Sequence, residues 1–403
     1  MMKRFFLLRM QARQKSDYPL RTFEQLVSTN GIRKGQTGRT PLRDYIEWQN
    51  FPNIMKRENF FTQRKRMSLE SKEDTFIFDN ILDHGPTFSK CLAKWLLVNY
   101  KLNDYPYYDL NVVNIYTDLP QAIQLCRSLM TYLKSTLSET MFQKIKYFMI
   151  PLYRCDNIPS KLLDGIPGSV TLVQDYPISP TLLRKKFLID DPVQILMIND
   201  VIKYTTHDLV RFSSDVNAWQ QCFVEVNEKG QKNKVFDSEL DYSCKLALEQ
   251  TFDDQSSILS DSDLYIPTKL IEILMAIKNS IPEHRIFAVD TPQRSRPTII
   301  ALLKSLLGSR STGSSLMIEE PYSDSISSDK RSGRAYFTTD FLLLQKIYND
   351  INISSRSCEV EDISDFVDKW ISPSERGTHS LLGGEKSHLE AIKNSSLAIL
   401  HST

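Results

Sequence analysis

Residues 111–136 (NVVNIYTDLPQAIQLCRSLMTYLKST) join an apolar strand, a tight turn and an amphipathic helix. Similar strand-like runs follow at Lys146–Tyr153, Ser169–Asp175 and Val193–Val201. Strands interleaved with helices predict a doubly wound, mostly parallel α/β sheet. The first turn is also a chemical constraint. A nucleotide-binding βα turn needs glycine so that the backbone can bend sharply and approach the ligand beneath the helix N-terminus. Here it reads Tyr116, Thr117, Asp118, Leu119, Pro120, without glycine. Side chains at such positions crowd a ligand that would lie against bare backbone, and Pro120 removes an amide donor.

The flanking segments extend the pattern. Phe88, Cys91, Leu92, Trp95 and Leu96 fall at helical spacing behind Pro86 and Thr87, which suit a helix start. Leu270, Ile273, Leu274 and Ile277 share a helical face within 267–281, and His284–Asp290 then reads as a buried strand. A short helix is predicted at Pro297–Leu307, and another carries Phe341, Leu344, Ile347, Tyr348 and Ile351. Gln221–Asn227 reads as a strand closed by a turn. Residues 31–75, broken by Gly31, Gly35, Gly38, Pro41 and Pro52, read as irregular with short helical pieces. The acidic, serine-rich stretch 251–263 and the serine-rich stretch 308–335 are expected to be loop insertions.

At 403 residues the chain can form one large α/β domain with insertions or two ordinary ones. Its 25% charged and 41% apolar residues fit a globular protein, and a net charge of +1 gives no basic excess for nucleic acid. No run approaches the roughly 18–20 apolar residues of a transmembrane helix. Six single cysteines form no CxxC pair, which points to core thiols in a reducing compartment. The first residues carry Lys3, Arg4, Arg9, Arg13 and Lys15 around Phe5, Phe6, Leu7, Leu8 and Met10, with no acid before Asp17. That composition predicts a mitochondrial transit peptide over 1–20.

Few motifs survive inspection. Gly308–Ser315 has phosphate-loop glycine spacing, but Ser314 stands where lysine is needed and a helix precedes it. His207 and Asp208 lie near Ser213, yet no GxSxG elbow accompanies them, and the histidines lack HExxH-type spacing, so no metal site is expected. The absent GxGxxG argues against a dinucleotide-dependent oxidoreductase. In a doubly wound sheet, ligands bind beyond the carboxyl ends of the strands. This gathers Tyr116–Asp118, Pro151–Tyr153, Gln174 with Asp175, and Asn199 with Asp200. An acid there can hold ribose hydroxyls, and an Asn–Asp pair can hold or deprotonate a polar group.

Several strings resemble the MidA-type class I methyltransferases. They are Ser280–Asp290 (SIPEHRIFAVD), Arg334–Tyr348 (RAYFTTDFLLLQKIY), Ile195–Val201 (ILMINDV) and Trp219–Gly230 (WQQCFVEVNEKG). The resemblance spans roughly residues 20–370. It implies a class I methyltransferase-type sheet over 21–370, followed by a C-terminal tail at 371–403. It also implies S-adenosylmethionine as cofactor and methylation of an arginine on a protein substrate, a respiratory-complex subunit, in the mitochondrial matrix during complex I assembly. Asn199 and Asp200 then take the catalytic positions. Tyr116, Asp118, Gln121, Gln174 and Asp175 take the cofactor-binding ones, although none of the family's E-L-G-P-G-x-G glycines is present. The glycine-free turn supports an alternative, a catalytically degenerate methyltransferase fold acting as a mitochondrial binding or assembly factor.

Overall fold

The computed structural model describes residues 38–46, 86–152, 160–173, 191–198, 201–226, 232–252, 263–292, 316–317, 337–338, 340–352, 357–372, 384–395 and 397–402. Strand β1 (Gly38–Pro41) leads into a helical stretch at 42–46. Helix α1 (Thr87–Asn103) buries Phe88, Cys91, Leu92, Trp95, Leu96 and Tyr100, the face set by its three- and four-residue spacing. Strand β2 (Leu110–Tyr116) is buried throughout. Helix α2 (Leu119–Thr136) starts where the Asp118 carboxylate accepts the Gln121 amide at 3.1 Å, with proline in the first turn, where no intrahelical amide is lost. The short α3 (Glu139–Phe142) precedes β3 (Ile145–Pro151), β4 (Ser169–Leu172) and β5 (Val193–Ile198).

Next come β6 (Asp208–Ser213), β7 (Ala218–Val226), β8 (Lys232–Asp237), α4 (Tyr242–Thr251) and β9 (Asp263–Ile266). Helix α5 (Thr268–Ser280) and β10 (His284–Asp290) return the chain to the first sheet. The two-residue strands β11 (Leu316–Met317) and β12 (Phe337–Thr338) pair with each other. Helix α6 (Phe341–Ile351), β13 (Cys358–Asp362), α7 (Ile363–Trp370), α8 (Gly384–Asn394) and β14 (Ala398–Ser402) complete the described elements.

The principal sheet has seven strands in the order β13-β14-β10-β5-β2-β3-β4. The central run β10-β5-β2-β3-β4 is parallel, whereas β14 is antiparallel to both neighbours. Alternate side chains serve opposite faces. Val113, Ile115, Ile195, Met197, Ile286 and Ala288 meet residues of α5 and α6. Val112, Leu196, Ile198, Phe287 and Val289 meet those of α1, α2 and α7. Each of these valine, leucine, isoleucine, methionine and phenylalanine side chains contributes about 2 kcal/mol when fully buried. The expectation of a doubly wound, mostly parallel sheet therefore holds.

Several boundaries and one whole layer differ from the sequence reading. The strand expected at Val193–Val201 ends at Ile198, and residues 201–204 turn. Those expected to reach Tyr153 and Asp175 end at Pro151 and Leu172. Residues 38–41, read as irregular, form a strand. Of the strand expected at 221–227, residues 221–226 belong to a second, antiparallel sheet of order β1-β7-β6-β9, with β8 also on β7. It has its own small core of Leu42, Tyr45, Ile46, Leu209, Cys222, Val224 and Phe337. Residues 371–403, read as a tail, include β14, which lies fully buried between β10 and β13. Most of 31–75, 251–263 and 308–335, and all of 1–20 and 297–307, lie outside the described residues.

Candidate functional site

The parallel strands β2, β3, β4, β5 and β10 end on one edge of the principal sheet, so their carboxyl ends form a common rim. At the end of β2, Tyr116 is buried with the α1–α2 core, and its carbonyl accepts the Leu152 amide at 2.7 Å. Asp118 caps α2, and Gln121 is buried in the first helical turn. The turn's own groups use the amides that face the rim. Gln121 N–H goes to the Asp118 side chain, Ala122 N–H goes to the Asp118 carbonyl at 3.1 Å, and Pro120 has no N–H. A carboxylate and a carboxamide thus stand where a glycine turn would present bare backbone.

At the far side of this rim, Asp290 ends β10, one residue beyond the last β10–β5 pair, Val289 with Ile198. It is buried, and its two carboxylate oxygens accept different amides, Lys203 N at 3.0 Å and Thr291 N at 2.7 Å. The chain it grips is unusual, because residues 201–208 are buried without a break although only Asp208 lies in a strand. Connecting segments normally run over the surface because their polar groups need water. Here protein partners replace the water. The Lys203 carbonyl accepts Phe337 N at 3.0 Å, the Thr206 carbonyl accepts Lys269 N at 3.2 Å, and Ile202 accepts Thr205 N at 3.0 Å.

The connector ends in a buried ionic cluster. Asp208 receives Arg43 at 2.6 Å, Thr268 at 2.8 Å and Gln221 at 3.0 Å, and Arg43 also reaches Asp241 at 2.8 Å. Burial opposes the Arg43 charge, but Asp208, Asp44 and Asp241 outweigh it and hold the guanidinium above its ordinary pKa. Burial raises the Asp208 carboxyl against the pull of Arg43. Asp241, although burial works against its charge, is held below the usual range by Arg43. His207 stacks on Phe337 with centroids 4.1 Å apart, and burial pushes its pKa down to about 3 against the opposing Thr205 carbonyl contact. The His207–Asp208–Ser213 set, considered for a hydrolase and set aside, is a packing and ion-pair arrangement.

Of the residues assigned from sequence, Tyr116, Asp118 and Gln121 come together at the β2–α2 turn. Gln174, Asp175, Asn199 and Asp200 lie outside the described residues, but they follow β4 and β5, whose carboxyl ends share the rim. Asp290 was read only as the last residue of a strand. Its bond to Lys203 joins positions 87 apart, which no local spacing reveals. Among the described residues there is no group of three or more potential metal ligands, and no helix is long and apolar enough to cross a membrane.

The pattern of a protein family described as "Putative S-adenosyl-L-methionine-dependent methyltransferase" matches residues 91–357. A Saccharomyces cerevisiae protein named "Protein arginine methyltransferase NDUFAF7 homolog, mitochondrial" is 74% identical over 403 residues, covering 100% of both chains. A solved Burkholderia thailandensis protein bound to S-adenosyl-homocysteine has a TM-score of 0.55 at 10% identity, over 94% of this chain and 90% of that one. A native crystal structure from the same organism gives 0.56 with the same identity and coverage. At such identity the likeness shows the fold.

Proposed function

The chain belongs to the S-adenosyl-L-methionine-dependent methyltransferase family, and on that premise we propose that it is a mitochondrial protein arginine methyltransferase working at the carboxyl rim of its parallel sheet. The observation that carries this reading is the pairing of that rim with full-length 74% identity to a relative bearing the same activity in its name. The matrix, a respiratory-complex subunit as substrate and a role in complex I assembly are the finer parts of the proposal. They rest on the MidA-type resemblance and on the basic, acid-free start of the chain.

The residues at the β2–α2 turn suit the cofactor's polar groups through side chains, not through bare backbone. Asp118 offers a carboxylate to an ammonium or a ribose diol, and Gln121 offers an amide. Gln174 and Asp175, following β4, would complete the grip, with Tyr116 as apolar wall. When bound, the cofactor supplies an electrophilic methyl group. An arginine guanidinium is a poor nucleophile while fully protonated, because its pKa is above 12. Asp200 would accept an N–H of the incoming guanidinium, fix its plane and take the proton released as the nitrogen gains the methyl group and the sulfur–methyl bond breaks to leave a neutral thioether. Asn199 orients the same group, and Asp200 then returns its proton to water.

One observation favours a second reading. Because Asp118 and Pro120 leave the turn few amides for a ligand, the fold can persist as a mitochondrial binding or assembly factor without the cofactor. Calorimetric titration of the chain lacking residues 1–20 with S-adenosylmethionine separates the two. Micromolar binding followed by methylation of an arginine-containing protein substrate supports the enzyme. A folded chain that binds nothing at millimolar cofactor supports the assembly role and removes the enzyme reading.

A further inference from the structure

We propose that the chain rests on an anionic lipid bilayer through the tyrosine-rich turn that follows α1. The inference goes beyond the methyltransferase reading and does not depend on it. Of the nine large apolar side chains exposed among the described residues, five fall within 98–108: Val98, Leu102, Tyr105, Tyr107 and Tyr108. Exposed apolar residues scattered singly are ordinary, whereas a group gathered at one place marks a contact surface. Val98 and Leu102 stand four residues apart, so they share one flank of α1 while another flank enters the core. Leu102 is 78% and Tyr107 80% exposed, so both project toward solvent. The turn immediately precedes β2, and Lys144 precedes β3, so the patch lies at the amino edge of the parallel sheet. The seven residues of β2 set that edge about 20 Å from the rim.

The patch is ordered in advance. The Asp104 carbonyl accepts Tyr107 N at 3.1 Å and Tyr108 N at 3.0 Å, and the Tyr100 hydroxyl donates to the Tyr108 carbonyl at 2.8 Å. The Lys144 ammonium donates to the Pro106 carbonyl at 3.2 Å and lies 5.5 Å from the centre of the Tyr105 ring. A surface already fixed loses little freedom on binding. Its charge selects the partner. Within 98–109 and 144–146 the acids are Asp104 and Asp109, taken by Arg285 and Lys146 at 2.6 Å in each pair, so Lys101 and Lys144 carry the remaining charge beside the rings. Tyrosine rings settle at the headgroup level of a bilayer, and lysines reach from apolar surface to anionic lipid. The centre of a protein–protein contact is instead depleted in lysine. Held this way, the rim opens to the aqueous side, where a protein substrate arrives.

The test adds vesicles of phosphatidylcholine, with or without cardiolipin, to the full chain and reads amide hydrogen exchange over 98–109. This local readout separates the patch from the basic start of the chain, which can meet the same vesicles. On cardiolipin vesicles exchange over 98–109 should slow about fivefold or more, and on neutral vesicles it should stay unchanged. Leu102→Asp with Tyr107→Asp should abolish the protection without moving the melting temperature, because both side chains lie outside the core. Lys101→Glu should raise the lipid concentration for half protection about tenfold. Unchanged exchange on cardiolipin vesicles overturns the proposal, as does equal protection on both kinds of vesicle. Protection that survives in the Leu102→Asp, Tyr107→Asp variant overturns it as well. A wild-type dimer in sedimentation that this variant breaks, with no protection by vesicles, gives the patch to a second copy of the chain and removes the bilayer.

Discussion

Single residues in the connector carry opposite kinds of cost. His207 is neutral in the folded chain because burial lowers its pKa to about 3, whereas the unfolded imidazole titrates near 6.5. Between these values the unfolded state binds the extra proton, so stability is whole above pH 6.5 and falls as pH drops toward 3. The slope is at most about 1.4 kcal/mol per pH unit. His207→Phe keeps an aromatic ring against Phe337 and should flatten the acid limb by about one proton. Urea unfolding at pH 7.5, 5.5 and 4.5 checks this, and parallel curves for the two proteins would refute it. Arg43→Met strands Asp208 with no guanidinium in a buried site, and should lower unfolding free energy by about 3–5 kcal/mol in the same assay.

At the scale of elements, α2 separates structure from binding in one side chain. Asp118→Asn retains an oxygen for the Gln121 amide, so the melting temperature should stay nearly unchanged while S-adenosylmethionine affinity falls about tenfold. Asp118→Ala should lose the affinity and also about 1 kcal/mol of stability. Equal affinities for wild type and Asp118→Asn by calorimetry would remove Asp118 from the site. The legible and hidden elements divide on similar physical grounds. β2, α2, α5 and β10 were readable because each combines a strong period or apolar run with a local stop signal. β1 lay hidden among glycine and proline. β8 (KNKVFD) is short and polar, and it is a strand because β7 pairs with it, not because of its own composition. The rim could be inferred from strand ends. The grip of Asp290 on Lys203 could not, because it needs the β10–β5 register and the turn after Ile198 together.

For the whole molecule, the two faces of the principal sheet meet the same stability demand through different packing. On one face an aromatic cluster dominates, with Phe287 4.8 Å from Trp95 and 5.1 Å from Phe366, centroid to centroid. Phe287→Ala opens a cavity that strand β10 cannot close while paired on both sides, and should cost about 3–5 kcal/mol in denaturant unfolding. Beneath that face Arg285 makes a two-pronged ion pair with Asp104 at 2.6 and 3.2 Å, tying β10 to the end of α1. The place of β14 has a temporal side. A chain emerging from a ribosome or an import pore amino end first makes β10 and β13 long before residues 398–402 arrive to lie between them. Until then β10 presents an open, apolar edge able to recruit strands from other nascent chains. The strand order thus leaves the principal sheet incomplete until its last five-residue strand has been made.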